Sequence, residues 1–238
     1  MSVFQKKEKN DPLFIGIVLF AFLFAVAGAM SGFVLLALAP LKSFKTVAEQ
    51  ESFAENYPRV GLLNSYWFEG PVEATPDLAR KRDRFLNSED DATIEFSDGE
   101  INAWISTKFS KPRSTFLLKD RPGILILPDL PNFFIDESVG FTFRIPMEII
   151  IYGKAYYNSM IVQGRFVEDP ESSFVEFQIE TLRINDARVP LTKEWCLQLL
   201  TNLLQPYLKT DEFIDLVEAW EEVDSVELVD NTIRLNLD

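Results

Sequence analysis

The sequence predicts an α+β domain behind an N-terminal transmembrane helix, with an antiparallel sheet packed on one long apolar-striped helix. Three observations predict it. Pro12 to Leu41 run thirty residues without a charge. From Gly123 to Asn185 apolar residues come in short alternating runs parted by turn residues, which is the period of strands. Past Thr192, the residues Trp195, Leu199, Leu200, Leu203, Leu204 and Tyr207 recur at helical spacing.

The apolar stretch sets the frame for the rest. As a helix, 13–39 would measure about 40 Å, and a bilayer core of about 30 Å needs only about 20 apolar residues. A buried core helix this uniformly apolar is unusual. A secretory signal has an apolar region of roughly 7–15 residues, and Pro40 directly follows the cleavage-like Ala37-Leu38-Ala39. The reading is therefore an uncleaved anchor over 13–41, after a tail at 1–12. Lys6, Lys7 and Lys9 precede the span and Lys42 and Lys45 follow it. This bias places the N-terminus in the cytoplasm and the domain outside the cell (inner or plasma) membrane. Gly28 and Gly32 form a GxxxG within the span, so they are the candidates for helix–helix contact, with a second copy or another membrane protein.

The net charge is −14, and the first eleven residues contribute +1, which leaves −15 for the remainder. Such a domain is repelled by phosphate backbones, so nucleic acid is excluded as a partner class. There is no histidine and one cysteine, Cys196. That removes Ser-His and Cys-His pairs, the usual zinc sites and any intrachain disulfide. Phenylalanine is abundant, with 21 residues and only five of them in the span.

Residues 42–91 read as a stalk, a loop and a basic helix. Residues 42–58 form a short stalk, one helix at most, ending at Pro58. Residues 59–76 have no clear period and two prolines. A helix over 77–87 is capped by Asp77, has Leu78, Phe85 and Leu86 on one side, and carries Arg80, Lys81, Arg82 and Arg84. Such a cluster suits lipid phosphates or an acidic partner, and equally a solvated face.

The α+β domain covers 92–238. A strand at Ala92–Phe96 leads into Ser97-Asp-Gly-Glu100, a capping box. Ile101, Trp104, Ile105 and Phe109 follow on one helical face until Pro112. Strands are expected at Gly123–Leu127, Asn132–Glu137, Val139–Ile145, Met147–Tyr152, Lys154–Val167 and Phe174–Asn185. In the last, a change of phase marks a bulge near Glu180–Thr181. Turns such as Glu168-Asp-Pro-Glu171 favour an antiparallel meander. Thr192 caps the striped helix, with Leu191 and Cys196 as a staple, and Pro206 ends it. A helix over Asp211–Glu222 is expected to bury Phe213, Ile214, Val217 and Trp220. Ser225–Val229 and Thr232–Leu237 then flank Asp230-Asn231, a two-residue hairpin turn.

Patterns that carry chemistry are missing. There is no G-x-S-x-G, Walker, dinucleotide, Cys-x-x-Cys or H-E-x-x-H motif. The acidic groups at Glu89–Asp91, Asp98 and Glu100, and Glu221, Glu222 and Asp224 do not match a calcium loop. No catalytic residue, metal ligand or cofactor is assigned. Cys196, in the first turn of its helix, reads as an inert packed thiol.

The segment Ser97-Asp-Gly-Glu-Ile-Asn-Ala-Trp104, the meander, Leu182-Arg-Ile-Asn-Asp-Ala-Arg-Val-Pro190, the leucine-rich helix and the terminal hairpin come in an order that resembles membrane-anchored bacterial proteins of the TULIP-like kind (YpmS-like and YceB-like). The resemblance covers residues 92–238. It implies a curved sheet wrapped on a long helix around an apolar groove, hence a module that binds lipid or another apolar ligand at the envelope. On that expectation Phe141, Phe143, Tyr156, Met160, Val162, Phe166, Leu200 and Leu203 are the candidate lining. If the same side chains close into a core, the chain reads instead as a scaffold or assembly subunit without a ligand.

Overall fold

The computed structural model describes residues 12–56, 65–87, 92–109, 123–168, 175–190 and 192–237. The N-terminal lysines, Pro58, Glu89–Asp91, Pro112, the turn at 169–171, Phe174 and Leu191 lie outside the described residues. The first element is α1 (Pro12–Ala37), of 26 residues. Within it Ile17–Ala37 is long and apolar enough to cross a membrane, and it is not buried by the rest of the chain.

The largest sheet has six strands. Its long members are β6 (Gly140–Ile151), β7 (Lys154–Glu168) and β8 (Val175–Ile184), which run antiparallel in sequence order. Two short strands share the outer side of β6. β4 (Ile124–Pro128) pairs with Met147–Ile151 and β5 (Asn132–Asp136) pairs with Gly140–Arg144. β9 (Ala187–Arg188) closes the other edge on β8.

Where the sequence suggests two strands over 139–152, the structure has one, running through Pro146. The proline is tolerated because it falls in the gap between β4 and β5. Its carbonyl turns to that side and accepts from the Asp129 N–H at 2.7 Å, so the ring sits where no N–H donor is required. The expected bulge is present. Gln163 pairs with Thr181 and Gly164 with Ile179, which leaves Glu180 as the extra residue. Gly164 is obligatory there, since a Cβ would lie 2.2 Å from the Gln178 carbonyl oxygen.

One face of this sheet builds the main core. Phe141, Phe143, Ile145 and Met147 of β6, Met160 and Val162 of β7 and Val175 and Leu182 of β8 are buried together. Helix α5 (Lys193–Leu204) adds Cys196, Leu200 and Leu203. At 12 residues it is shorter than the stripe suggests; turns replace helix from Gln205, one residue before Pro206. A second sheet closes the core. In it β11 (Thr232–Leu237) lies between β10 (Val223–Val229) and β3 (Thr93–Ser97) and contributes Ile233, Leu235 and Leu237. The β10–β11 turn is made by Asp230 and Asn231 with φ of 49° and 59°, as their residue types favour. Helix α4 (Asp98–Lys108) follows β3 through the full capping box of Ser97 and Glu100. Helices α3 (Leu78–Leu86) and α6 (Asp211–Trp220) complete this layer and touch each other.

Two expected core contributions do not hold. Trp195 is 58 % exposed, since it lies roughly 100° around α5 from the Cys196–Leu200–Leu203 line. Ile214 and Val217 of α6 are exposed as well; Phe213 and Trp220 are half-buried, and Ala219 and Leu216 join them on the inward side.

Residues 41–56 and 65–68 hold the one helix allowed in the stalk, and add strands where only stalk and loop are expected. β1 (Leu41–Phe44) pairs in parallel with β2 (Ser65–Phe68), and α2 (Val47–Asn56) lies between them in the chain. Phe44, Phe68 and Phe134 form a second small core with Val47, Phe53 and Tyr66 packed against it. The layer covers the other face of the main sheet, where the Arg144 guanidinium lies 3.9 Å from the Trp67 ring and donates to Ser159 Oγ at 2.7 Å.

Candidate functional site

Phe141, Phe143, Met160, Val162, Leu200 and Leu203 all lie in the main core, and Val162 and Leu203 are 0 % exposed. Tyr156 is half-buried. Phe166 packs at the core margin against Phe141, Phe177 and Trp220, with ring centroids 5.2, 5.3 and 5.6 Å away. The rings interlock in tilted and edge-on contacts, so β6, β7, β8 and the end of α6 meet as packed surfaces here. Gly28 and Gly32 stand on the open side of α1, with nothing within 4 Å of a Cβ at either.

An apolar pocket lies elsewhere, under the helices. Its volume is about 210 Å³, and its walls are Ile105 of α4 and Phe109 just after it, Phe133 of β5, Leu204 of α5 and Tyr207 in the turns beyond it, and Phe213 and Leu216 of α6, among others. No polar surface faces it. Phe133 joins it to the main core, since its ring also meets Phe141 and Phe143 at 5.4 and 5.3 Å. The buried Tyr207 hydroxyl has no hydrogen-bond partner among the described residues. Burial, and then the negative charge of Asp129, push the Tyr207 phenol up to about 12. A phenol so placed stays protonated at neutral pH and presents its ring, not its hydroxyl, to the pocket.

The E-x-N pair of α4 turns out to be a clamp. Glu100 Oε2 accepts from the Ser97 N–H at 3.1 Å and both its oxygens meet Lys81 Nζ at 2.8 Å; Thr75 donates to it as well. Burial raises the Glu100 carboxyl, but the Lys81, Thr75 and Ser97 hydrogen bonds outweigh it and hold the group below its ordinary value. Asn102 accepts from the Phe133 N–H at 2.7 Å and donates to the Phe133 and Pro71 carbonyls, both at 2.8 Å. The basic run on α3 is largely spent on partners. Arg80 pairs with Asp77, Lys81 with Glu100, and Arg82 with Asp83 and, at 3.8 Å, Glu212. Asp77 does not cap its helix with its side chain; it makes that ion pair.

The junction between α1 and the domain escaped the sequence reading. A helix C-terminus leaves carbonyls without partners. Here the Asn158 side-chain amide donates to the Ala37 carbonyl at 2.8 Å, and that of Asn185 donates to the Ala37 and Ala39 carbonyls at 2.7 and 3.2 Å. The Asp186 N–H meets the Leu36 carbonyl at 3.3 Å. Asn185, at φ 50°, also accepts from the Ser159 N–H at 2.8 Å. Ala39, Asn158 and Asn185 are all buried. Helix α1 is thus bolted to the sheet at the β8–β9 turn. One signal was readable: Asn158 occupies an inward position of β7, in phase with Tyr156 and Met160, where an amide needs a partner.

Cys196 is buried and desolvation pushes its thiol up, away from the reactive thiolate. Among the described residues no group of three or more His, Cys, Asp or Glu side chains is placed to hold a metal ion. Comparison with family models, curated proteins and solved structures finds no match for this chain.

Proposed function

We propose that the chain is a membrane-anchored, non-enzymatic module that takes the end of an apolar ligand, such as a lipid acyl chain, in the pocket under α4, α5 and α6. The observation that carries this reading is a pocket that presents only apolar surface among the described residues. An apolar cavity of about 150 Å³ holds a benzene-sized guest, while sites for a whole drug-sized ligand run to about 300–1,000 Å³. A pocket of about 210 Å³ therefore suits a chain end rather than an entire lipid. The TULIP-like resemblance points to the same ligand class, with the pocket moved from the sheet–helix interface to the helical layer. The domain faces the outside, as the lysine bias across the span indicates, and protease added to intact cells should digest it.

The test is photolabelling of the full chain in lipid nanodiscs with a diazirine fatty acid. Peptides from the ends of α4 and α5 and from α6 should carry label, and Leu216→Trp, which fills the pocket, should remove it. Label confined to α1 would overturn the reading.

The scaffold reading is favoured by a different observation, the closed packing of Phe141, Phe143, Val162, Leu200 and Leu203 together with the fixed anchor junction. A domain held in one pose on the bilayer presents its faces to partners at a set height. A second copy packed on Gly28 and Gly32 would belong to that reading.

A further inference from the structure

We propose that the tip of the β6–β7 hairpin is a second membrane contact, resting in the headgroup layer of the bilayer that α1 spans. Two residues make the turn, Tyr152 with φ 47° and Gly153 with φ 82°. This is the geometry of a hairpin turn that favours asparagine and glycine, and a bulky side chain rarely adopts it. Tyr152 nevertheless occupies it, 85 % exposed. Its N–H donates to the Gly123 carbonyl at 2.8 Å, and its ring lies over Gly123, where a Cβ would come within 2.8 Å of it. The ring is therefore positioned by the fold and still offered to the surroundings. Beside it Ile151 is 38 % exposed and Tyr157 is 79 % exposed.

The stretch from Ile149 to Tyr157 contains no acid in a chain of net charge −14, and its one charge is Lys154. Tyrosines with a lysine and an isoleucine form the composition that settles at a membrane–water interface, apolar bodies inward and polar tips wet. Glu148, the cross-strand partner of Tyr157, bounds the stretch, and from there to the turn neither strand carries the negative charge that anionic headgroups repel.

The occupant is fixed by the anchor. Asn158 is the next residue after Tyr157, and it holds the carbonyl of Ala37, the last residue of α1. The 21 residues of Ile17–Ala37 measure about 31 Å as a helix, which matches a hydrocarbon core of about 30 Å. When they span, Ala37 lies where hydrocarbon gives way to headgroups. Tyr157 is then at that boundary, and Tyr152 is within about 20 Å of it along the strand. The tip projects from the same end of the sheet as the Asn185–Asp186 turn that grips α1.

The inference rests on α1 spanning the bilayer, and the test separates the two. In the full chain with Cys196→Ala, single spin labels are attached at Tyr152→Cys, Tyr157→Cys, Val26→Cys and Val72→Cys. Val72 is the aqueous reference. It is 64 % exposed and sits in the loop that Asn102 and Asn132 staple to β5, at the end of β6 remote from the tip. The protein is reconstituted into vesicles of phosphatidylcholine with phosphatidylglycerol, and collision with oxygen is compared with collision with a water-soluble nickel chelate. Both tip labels should show a several-fold higher oxygen-to-nickel ratio than the Val72 label, with the Val26 label higher still. Tip labels that match Val72, while Val26 stays in lipid, would overturn the hairpin contact alone. A Val26 label open to nickel would overturn the anchor and the hairpin contact together. Tip labels shielded from both reagents would mean a protein partner there and overturn the membrane contact. Tyr157→Cys leaves the Tyr152 turn intact, so the loss of one ring does not decide the result.

Discussion

At the residue scale, the buried polar side chains carry more of the architecture than their number suggests. Glu100 caps α4 and ties α3 to it through Lys81, whose side chain is 28 % exposed. Glu100→Gln should destabilise the chain by about 1–3 kcal/mol at pH 7, the range for losing a charged hydrogen bond. Because the folded carboxyl is held below its ordinary value of 4.5, its contribution is present above that value and fades as pH falls through the folded one. Thermal melts of the two proteins should therefore be well apart at neutral pH and converge in acid; a constant gap would deny the ion pair its role. Tyr207 has the opposite signature. Its phenol is raised from 10 to about 12, so the unfolded chain ionises first and stability declines between those values. Tyr207→Phe should shift neutral stability by less than about 1 kcal/mol, since the hydroxyl has no partner among the described residues to lose. It should also flatten the alkaline limb of the stability–pH curve. Leu203, 0 % exposed, is the plain case: Leu203→Ala should cost about 2–5 kcal/mol by the cavity it leaves.

At the element scale, long periodic runs are legible in the sequence and short or doubly covered ones are not. β7, β8, the bulge at Glu180, the Ser97 capping box and the Asp230–Asn231 hairpin follow from period and turn chemistry. β1 and β2 have four residues each, too few to show a period, and they form a strand pair only because the main sheet offers a face to cover. Apolar type alone does not set the helix phase, so the α5 stripe reads too wide and takes in Trp195. The candidate lining is legible as a cluster but not as a state, since the same alternation builds a groove or a closed core. Long-range hydrogen bonds, such as that of Trp104 Nε1 with Glu212, leave no local trace. The bulge gives a prediction at this scale. Gly164→Ala should cost about 2 kcal/mol or more, because the Gln178 carbonyl of β8, and beside it the packed Phe177 ring, occupy the space. Urea denaturation reads it, with an unchanged slope if the sheet keeps its pairing.

At the scale of the whole molecule, the question is whether the anchor and the domain are separable. The sequence places the boundary at Lys42, where charge returns, and reads residues 42–58 as a stalk. The structure puts Leu36–Ala39 inside the domain's hydrogen-bond network instead, with Ala39 3 % exposed. A chain cut before Lys42 keeps both sheets and the main core, so it should still fold. It leaves the side-chain amides of Asn158 and Asn185 without their carbonyl partners and opens the site that Ala39 fills. Water replaces part of what is lost, and each intramolecular hydrogen bond contributes about 0.5–1.5 kcal/mol net. Residues 42–238 should therefore be about 1–3 kcal/mol less stable than residues 36–238. At about 2–4 °C per kcal/mol for a chain of this size, that is a difference of several degrees in melting temperature. Asn185→Ala in the longer piece should remove most of the gap, and in the shorter piece it should matter less, because its two carbonyl partners are already gone and only the Ser159 N–H remains. Equal melting temperatures for the two pieces would show the junction to be a tether and return the first forty residues to the role of a plain anchor.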